Sequence, residues 1–474
     1  MSASRITWDD VRDSCRGVVD PRRWWVALRH PRTALADAAG GGPVLALLVL
    51  FGLNAVDELD RSGFGILLPN IRDAFGMSNT GILTVVGLTA LGALVLQLPI
   101  AVAADRGNRV ALALLGALMW AVFSVFTGAA TAVWMLVVAR AGSGIGAAVV
   151  GPTHSSLLSD WYPVDHRARV FSFHQAANAL GQFVGPLAAG LIAATWGWRA
   201  PFFVFAVPTV LLVLVGLRLK DPVRGSQERL ASGEAGAAVD VEEPPASFAE
   251  AWRTVWKVEL LRRIWYAIPF LAVSIIGYVS LAGLVYADVF DLSEVQRGYL
   301  AASVEPFQLV GLAVGAKLGT RLFLRDPALV FRFLKWTSLA SAVLAGLFAL
   351  APSVPVAVVV NIGLTMVLAV VLPGVLSVMS MAIPSRARAV GFAVGSWWAI
   401  PGLALLPFIG WISDHLGTRV GMLMMTPVLA IGGLVLASAG SVVQRDLHDV
   451  WSASAARSRA VLDRREGRSK LLVV

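Results

Sequence analysis

Four ionisable side chains crowd one otherwise apolar stretch, Asn54-Ala-Val-Asp57-Glu58-Leu-Asp60-Arg61. On a helix turning roughly 100° per residue, Asp57, Asp60 and Arg61 share one face and Glu58 is turned away. One aspartate of that face can pair with Arg61, leaving the other to meet a second cation or to take up a proton. Arg140 is that cation: it stands alone in an apolar run, where a charge costs about 2.5 to 3.5 kcal/mol on insertion scales, so it must face an acid or a wet cavity. Glu305, just before Pro306, is a further carboxylate among apolar residues; it either lines a cavity or pairs with Arg297 near the outer surface. Asp57, Asp60 and Glu305 are therefore candidate proton carriers, against the alternative that the acids cluster at a mouth reached by water.

Other polar residues in apolar runs could contact a solute. Arg61 and Arg140 suit an anionic head group, Gln175, Asn178 and Gln308 offer neutral hydrogen bonds, and Trp397 and Trp398 could stack on a ring or flank an acyl chain. His154 and His174 can titrate near neutral pH. Each lacks ligand spacing to another metal donor, so both read as packed or cavity-wall residues, and no metal is expected. Cys15 is the single cysteine, which excludes an intramolecular disulfide and a Cys-based zinc site. No Ser-His-Asp arrangement sits in an aqueous segment and no Walker loop is present, so neither an enzyme nor an ATP-driven pump is expected, and no cofactor is implied.

The elements that must position these residues are membrane helices. Of 474 residues, 57% are hydrophobic before 45 glycines are counted and 15% are charged, too few to coat the several cores a soluble chain of this length would form. A bilayer core of about 30 Å takes about 20 apolar helical residues. Such runs lie near 44–69, 78–104, 109–131, 133–159, 170–194 and 198–218, then 264–287, 297–322, 328–350, 354–382, 388–411 and 418–441. The chain thus divides into a tail at 1–43, a six-helix half at 44–218, a polar linker at 219–263, a second half at 264–441 and a basic tail at 442–474. Arginines interrupt the first 43 residues, so they are no secretory signal. Trp24, Trp25 and Leu28 among them fit a segment lying on the membrane surface as well as they fit a solvated tail. Most lysines and arginines fall in the tails, the even-numbered loops and the linker, while the odd-numbered loops hold Arg72, Arg199, Arg297 and Arg419. The positive-inside rule then places both termini in the cytoplasm of a multi-pass plasma-membrane protein, and it accounts for the +9 net charge without nucleic acid.

The two halves repeat at a period of about 220 residues. Pro163, Arg167, Ala168, Arg169 and Phe173 align with Pro384, Arg386, Ala387, Arg388 and Phe392, and Gly190, Gly197 and Arg199 align with Gly410, Gly417 and Arg419. Six plus six spans in parallel repeat is a known transporter plan with its site between the halves at mid-membrane. The series Gly142, Gly144, Gly146 follows no strand and reads as close helix packing, not a nucleotide loop. Gly410 to Arg419 reads as a structural turn outside the membrane.

Several motifs resemble the major facilitator superfamily. Ala101-Val-Ala-Ala-Asp105-Arg106-Gly-Asn-Arg109 is similar to its cytoplasmic loop signature, with Ala101 and Asn108 in place of two glycines. The resemblance implies that Asp105, Arg106 and Arg109 latch neighbouring helix ends. Arg140 to Ala148 resembles its fourth-span motif, and Gly181-Gln-Phe-Val-Gly185-Pro186-Leu-Ala-Ala-Gly190 its antiporter motif, which alone does not fix direction. Within the superfamily the chain resembles the spinster branch through Asp60-Arg61 with Pro69, then Asp105-Arg106-Gly-Asn108-Arg109, and on through Arg140, Gly144, Gly146, Pro152, Asp160, Arg167, Arg169 and Ser172. It departs at Ala147-Ala148, where that branch carries Glu-Ala; Arg140 must then find its acid in the first span, and the branch's proton relay does not carry over whole.

The resemblance implies an all-α, twelve-helix fold and a monomeric secondary carrier that moves a lysolipid or sphingoid-type solute, coupled to H⁺, through the lipid bilayer. A sugar-acid symporter, whose first span also holds an Asp-Arg pair, a multidrug exporter and a non-transporting membrane sensor remain as alternatives.

Overall fold

Side chains that cap a helix, or cannot continue one, set where the spans begin and end. Ser78 accepts a hydrogen bond from the Gly81 amide (3.2 Å), Asn108 from Ala111 (2.8 Å) and Asp326 from Ala328 (2.8 Å), while Ser293 and Gln296 form a reciprocal capping box. Gly197 and Gly417, one repeat apart, end their helices at φ of +83° and +94°, a region that costs a Cβ-bearing residue.

The computed structural model describes residues 31–163, 166–223, 248–371, 375, 378–379, 382–383 and 394–450. Cys15, the Trp24–Trp25–Leu28 segment, the repeat residues from Pro384 to Phe392 and the tail from 451 lie outside them. Twelve spans run α1 Val44–Ala74, α2 Asn79–Arg106, α3 Arg109–Ala129, α4 Val133–Trp161, α5 Arg167–Trp196, α6 Ala200–Gly216, α7 Glu259–Asp288, α8 Glu294–Arg325, α9 Pro327–Ala349, α10 Val354–Leu368, α11 Val394–Leu416 and α12 Thr418–Ser441. Among the described residues eight helices are long and apolar enough to cross a membrane, and α6 and α10 are shorter apolar helices. Together with the longer, more polar α1 and α8 they form an all-α, multi-pass membrane fold in two six-helix halves.

Three boundaries differ from the hydropathy reading. Pro69 sits inside α1, which continues to Ala74, because a transmembrane helix tolerates proline where neighbours re-satisfy the freed carbonyl. α8 begins at its capping box, before the apolar run, and α11 extends to the Gly417 turn. A short helix, Phe248–Lys257, occupies part of the stretch read as linker.

Small residues set the close packing. A Cβ on Gly144 would lie 2.6 Å from the Thr89 carbonyl oxygen of α2, and one on Gly146 would lie 2.7 Å from the Gly116 carbonyl oxygen of α3. The same device holds α5 on α1: Cβ atoms on Gly181 and Gly185 would lie 2.6 Å from Glu58 Cβ and 2.5 Å from the Leu59 carbonyl oxygen.

The buried apolar residues show how the halves meet. One cluster contains residues of both halves, including Ile71, Ile82 and Phe202 with Val285, Phe348 and Ile409, at the end of the bundle away from the termini. At the end nearer the termini there are two separate clusters, one around Leu47, Leu114 and Tyr162 and the other around Trp265, Phe331 and Val443. Among the described residues the halves therefore share a core at the distal end and keep separate cores towards the terminal end, so a cleft between them can open only on that side.

Candidate functional site

At mid-height α1 turns its acids in three directions. Asp60, 1% exposed, meets Arg140 of α4 at 3.0 Å, and Ser124 of α3 sits 3.1 Å from its other oxygen. Phe64, one turn along α1, lies flat under the Arg140 guanidinium, 4.0 Å from carbon to ring centroid. A buried pair of this kind adds little net stability, but losing one partner strands a charge in an apolar medium.

Glu58 is not turned away from the chemistry; the helical-wheel reading is corrected here. It is buried, forms the ion pair with Arg61, and accepts a hydrogen bond from Gln182 of α5 at 2.9 Å. Arg61 pairs with Glu58, not with an aspartate. Two causes combine: residues three apart on a helix are neighbours, and Gly181 lets the α5 backbone come close enough for Gln182 to reach Glu58. Gln182 in turn accepts from Gln308 of α8 at 3.0 Å, so an Arg61–Glu58–Gln182–Gln308 chain crosses from one half to the other. The Arg61 side chain stays 69% exposed.

With both arginines taken, Asp57 and Glu305 have no ion-pair or hydrogen-bond partner among the described residues. Asp57 is half-buried and lines a pocket of about one water's size with Trp120, Ala147, His154 and Thr209. Glu305 is half-buried one turn from Gln308; Arg297 is engaged instead by Asn70 and the Leu292 carbonyl.

The remaining predicted contacts divide. Gln175 and Asn178 lie one above the other on α5, 3.3 Å apart, on the stripe that continues to Gln182. His154 and His174 are buried against each other, Nδ1 to Nε2 at 3.0 Å, and His154 also lines the pocket that holds Asp57. Trp397 donates to the Leu94 carbonyl of α2 at 3.1 Å, a second polar link between the halves. Among the described residues no cluster of three or more metal-ligating side chains occurs.

The loop motif places Arg109, 1% exposed, inside the first half. Its guanidinium binds Asp160 at the end of α4, Ser156 at 2.8 Å, Asp221 beyond α6 at 2.9 Å and the Pro222 carbonyl at 2.6 Å. Asn108, in place of a motif glycine, caps α3. The side chains of Asp105 and Arg106 lie outside the described residues.

The ties between halves concentrate at the distal end, where the sequence showed only loop arginines and a turn. Arg72 of α1 grips Asp288 of α7 with two bonds of 2.7 Å, and Thr418 adds a third bond to Asp288 at 3.0 Å. Asp414 of α11, read as part of a structural turn, accepts from the amides of Asn79 and Thr80 at 2.7 and 2.9 Å, closing the α2 amino terminus. Gly410 permits this contact, since a Cβ there would lie 2.6 Å from Thr80 Cα. The partners that join the two halves are more than two hundred residues apart, and no local spacing signals them.

Residues 50–401 match the family model of the Major Facilitator Superfamily. The chain belongs to this superfamily. It is 28% identical over 276 residues to the probable L-galactonate transporter of Escherichia coli (strain K12), a match covering 57% of this chain and 60% of that protein. It is 25% identical over 195 residues to protein spinster homolog 1 of Xenopus laevis, covering 39% and 36%. The matches thus span less than two thirds of these curated relatives. A crystal structure of a bacterial homolog to the human lysosomal transporter spinster, in an inward-facing and unoccupied conformation, superposes with a TM-score of 0.69 at 20% identity, covering 85% of this chain and 97% of that one. In fold and in these matches the superfamily member is spinster-like.

Proposed function

We propose that the protein is a secondary transporter that couples H⁺ movement to transport of an organic anion or anionic amphipath by rocking of its two halves, 44–218 and 264–441. The carrying observation is the charge pattern of α1. Asp60 and Glu58 each have an arginine, and Asp57 has none, so a proton on Asp57 adds or removes charge without breaking an ion pair. Glu305 is the second protonatable site, on the other half. Arg61, exposed beside the Gln182–Gln308 link, takes the solute's anionic group, and the Gln175–Asn178 stripe leads to it. Arg140 acts through Asp60, holding α1 to α4. The protein works as a monomer in the plasma membrane with cytoplasmic termini, so the cleft opens inward.

Lysolipid or sphingoid-type solutes are the class favoured by the spinster likeness. A sugar acid is the second reading, favoured by the galactonate-transporter match and by the amide side chains along α5 and α8. The test is uptake of labelled lysophosphatidylglycerol and labelled L-galactonate into proteoliposomes, with and without an imposed pH gradient. Gradient-dependent uptake of either supports the function and chooses the class. Uptake of either probe that ignores the gradient removes the H⁺ coupling; uptake of neither by folded protein removes the solute assignment.

A further inference from the structure

The mechanism above leaves a buried histidine pair unused, and it stands next to the proton site. His154, 2% exposed, lies on the second part of α4, and His174, 6% exposed, faces it from α5. Their rings meet edge to face at 82°, with Nδ1 of His154 3.0 Å from Nε2 of His174. Such a contact holds one shared proton: two protonated nitrogens would repel, and two bare ones would leave a pair of buried acceptors facing each other. His154 also lines the water-sized pocket that contains Asp57, together with Trp120, Ala147 and Thr209. On the far side, Asn54 of α1 donates to the His174 carbonyl at 3.2 Å, fixing that helix turn, and the next residue, Gln175, is exposed. From Asp57 through the pocket to His154 and His174 the order runs from mid-membrane towards the terminal end, and Gln175 follows His174 on α5 as the first exposed residue.

The surrounding helices hold few competing charges. Along α2, α3 and α6 the ionisable residues are Asp105, Arg106 and Arg109, all at helix ends, and α6 has none. On α4 they are Arg140, paired with Asp60, and Asp160, bound to Arg109; on α5 they are Arg167 and Arg169 at its start. On α1 they are Asp57, the Glu58–Arg61 pair and Asp60, with Arg72 and Asp73 at its distal end; the short helix Pro31–Ala39, which packs on α1 and α5, carries Arg32 and Asp37. On α8 Glu305 lies across the Gln182–Gln308 link. Asp57 is thus the one ionisable group that shares a pocket with His154.

Resting on the proposed H⁺ coupling, we infer that His154 and His174 form a proton wire that carries the Asp57 proton to the terminal-side cleft by a path separate from the solute. A water in the pocket passes the Asp57 proton to Nε2 of His154. The proton on Nδ1 of His154 moves to Nε2 of His174, and His174 releases its Nδ1 proton towards Gln175 and the cleft. One proton enters and one leaves, and each ring ends protonated on Nε2; the starting tautomers return by exchange with water, each ring losing its Nε2 proton and gaining one on Nδ1. A pair retained only for packing would share the same geometry but would not link proton flow to Asp57.

The experiment uses the full chain in proteoliposomes loaded with a pH-sensitive dye, with lysophosphatidylglycerol and L-galactonate as probes. His154→Gln and His174→Gln should each cut gradient-driven uptake and the accompanying proton flux at least tenfold, while counterflow exchange of the same probe, which needs no net proton movement, stays within about twofold of wild type. Gradient-driven uptake unchanged in variants that exchange normally overturns the wire and leaves the coupling standing. Wild-type net uptake that ignores the pH gradient and brings no proton flux overturns the coupling itself, and the wire with it. Should either variant fail to fold, nitrogen NMR of ¹⁵N-histidine-labelled protein decides: the wire requires a shared proton between the two rings whose signal responds to Asp57→Asn. Absence of that response overturns it.

Discussion

The polar centres of the two halves occupy matching places and use different chemistry. In the first half, α1 and α4 are joined by Asp60 and Arg140, with Ser124 completing the acid's bonds. One repeat beyond Arg140, α10 carries Asn361, which binds the hydroxyls of Tyr278 and Tyr286 on α7, with Thr365 3.3 Å away. The first centre is ionic and the second neutral. A neutral amide with two phenols satisfies its own bonds and has no proton to exchange near neutral pH. The ionic centre keeps one carboxylate, Asp57, outside its pairs. Under the proposed H⁺ coupling the unpaired acid beside an ion pair belongs to the first half, while the second half contributes Glu305 and Gln308 beside a neutral centre.

This comparison can be broken in order of expected effect. Asp60→Asn strands the Arg140 charge and should cost about 3 to 5 kcal/mol, read as a lower thermal unfolding midpoint in nanodiscs, and adding Arg140→Gln should recover part of the loss. Asn361→Leu in the neutral centre leaves two buried hydroxyls unsatisfied and should cost less, about 1 to 3 kcal/mol, in the same measurement. Equal losses at both sites would erase the distinction between the halves. Smaller still, Asp414→Ala uncaps α2 at the distal tie and should cost about 1 kcal/mol, read as faster amide hydrogen exchange at Asn79 and Thr80 with the rest of the first half unchanged.

Much of the fold is legible in the sequence because a bilayer imposes one length on every span, and the turns at Gly197 and Gly417 mark the repeat in the chain itself. Asn108 and Asp326, one repeat apart, both cap helices in the structure, which the motif reading of that loop does not anticipate. The site is less legible. Asp60 and Arg140 draw attention because each is costly alone, whereas a helical wheel turns Glu58 away although its three-residue spacing to Arg61 is a usable signal. Gln182 gave none, since its role depends on Gly181 bringing α5 onto α1. The distal ties join residues whose partners lie in the other half, and only the assembled bundle brings Arg72 to Asp288 or Asp414 to Asn79.

The central claim is that Asp57, the α1 acid without an arginine, carries the coupled proton. Its most direct test is uptake of whichever probe the wild type accumulates, comparing Asp57→Asn with wild type in proteoliposomes under an imposed pH gradient and in counterflow. The account predicts that gradient-driven accumulation falls at least tenfold while counterflow stays within about twofold. Gradient-driven accumulation at the wild-type level in Asp57→Asn would contradict it.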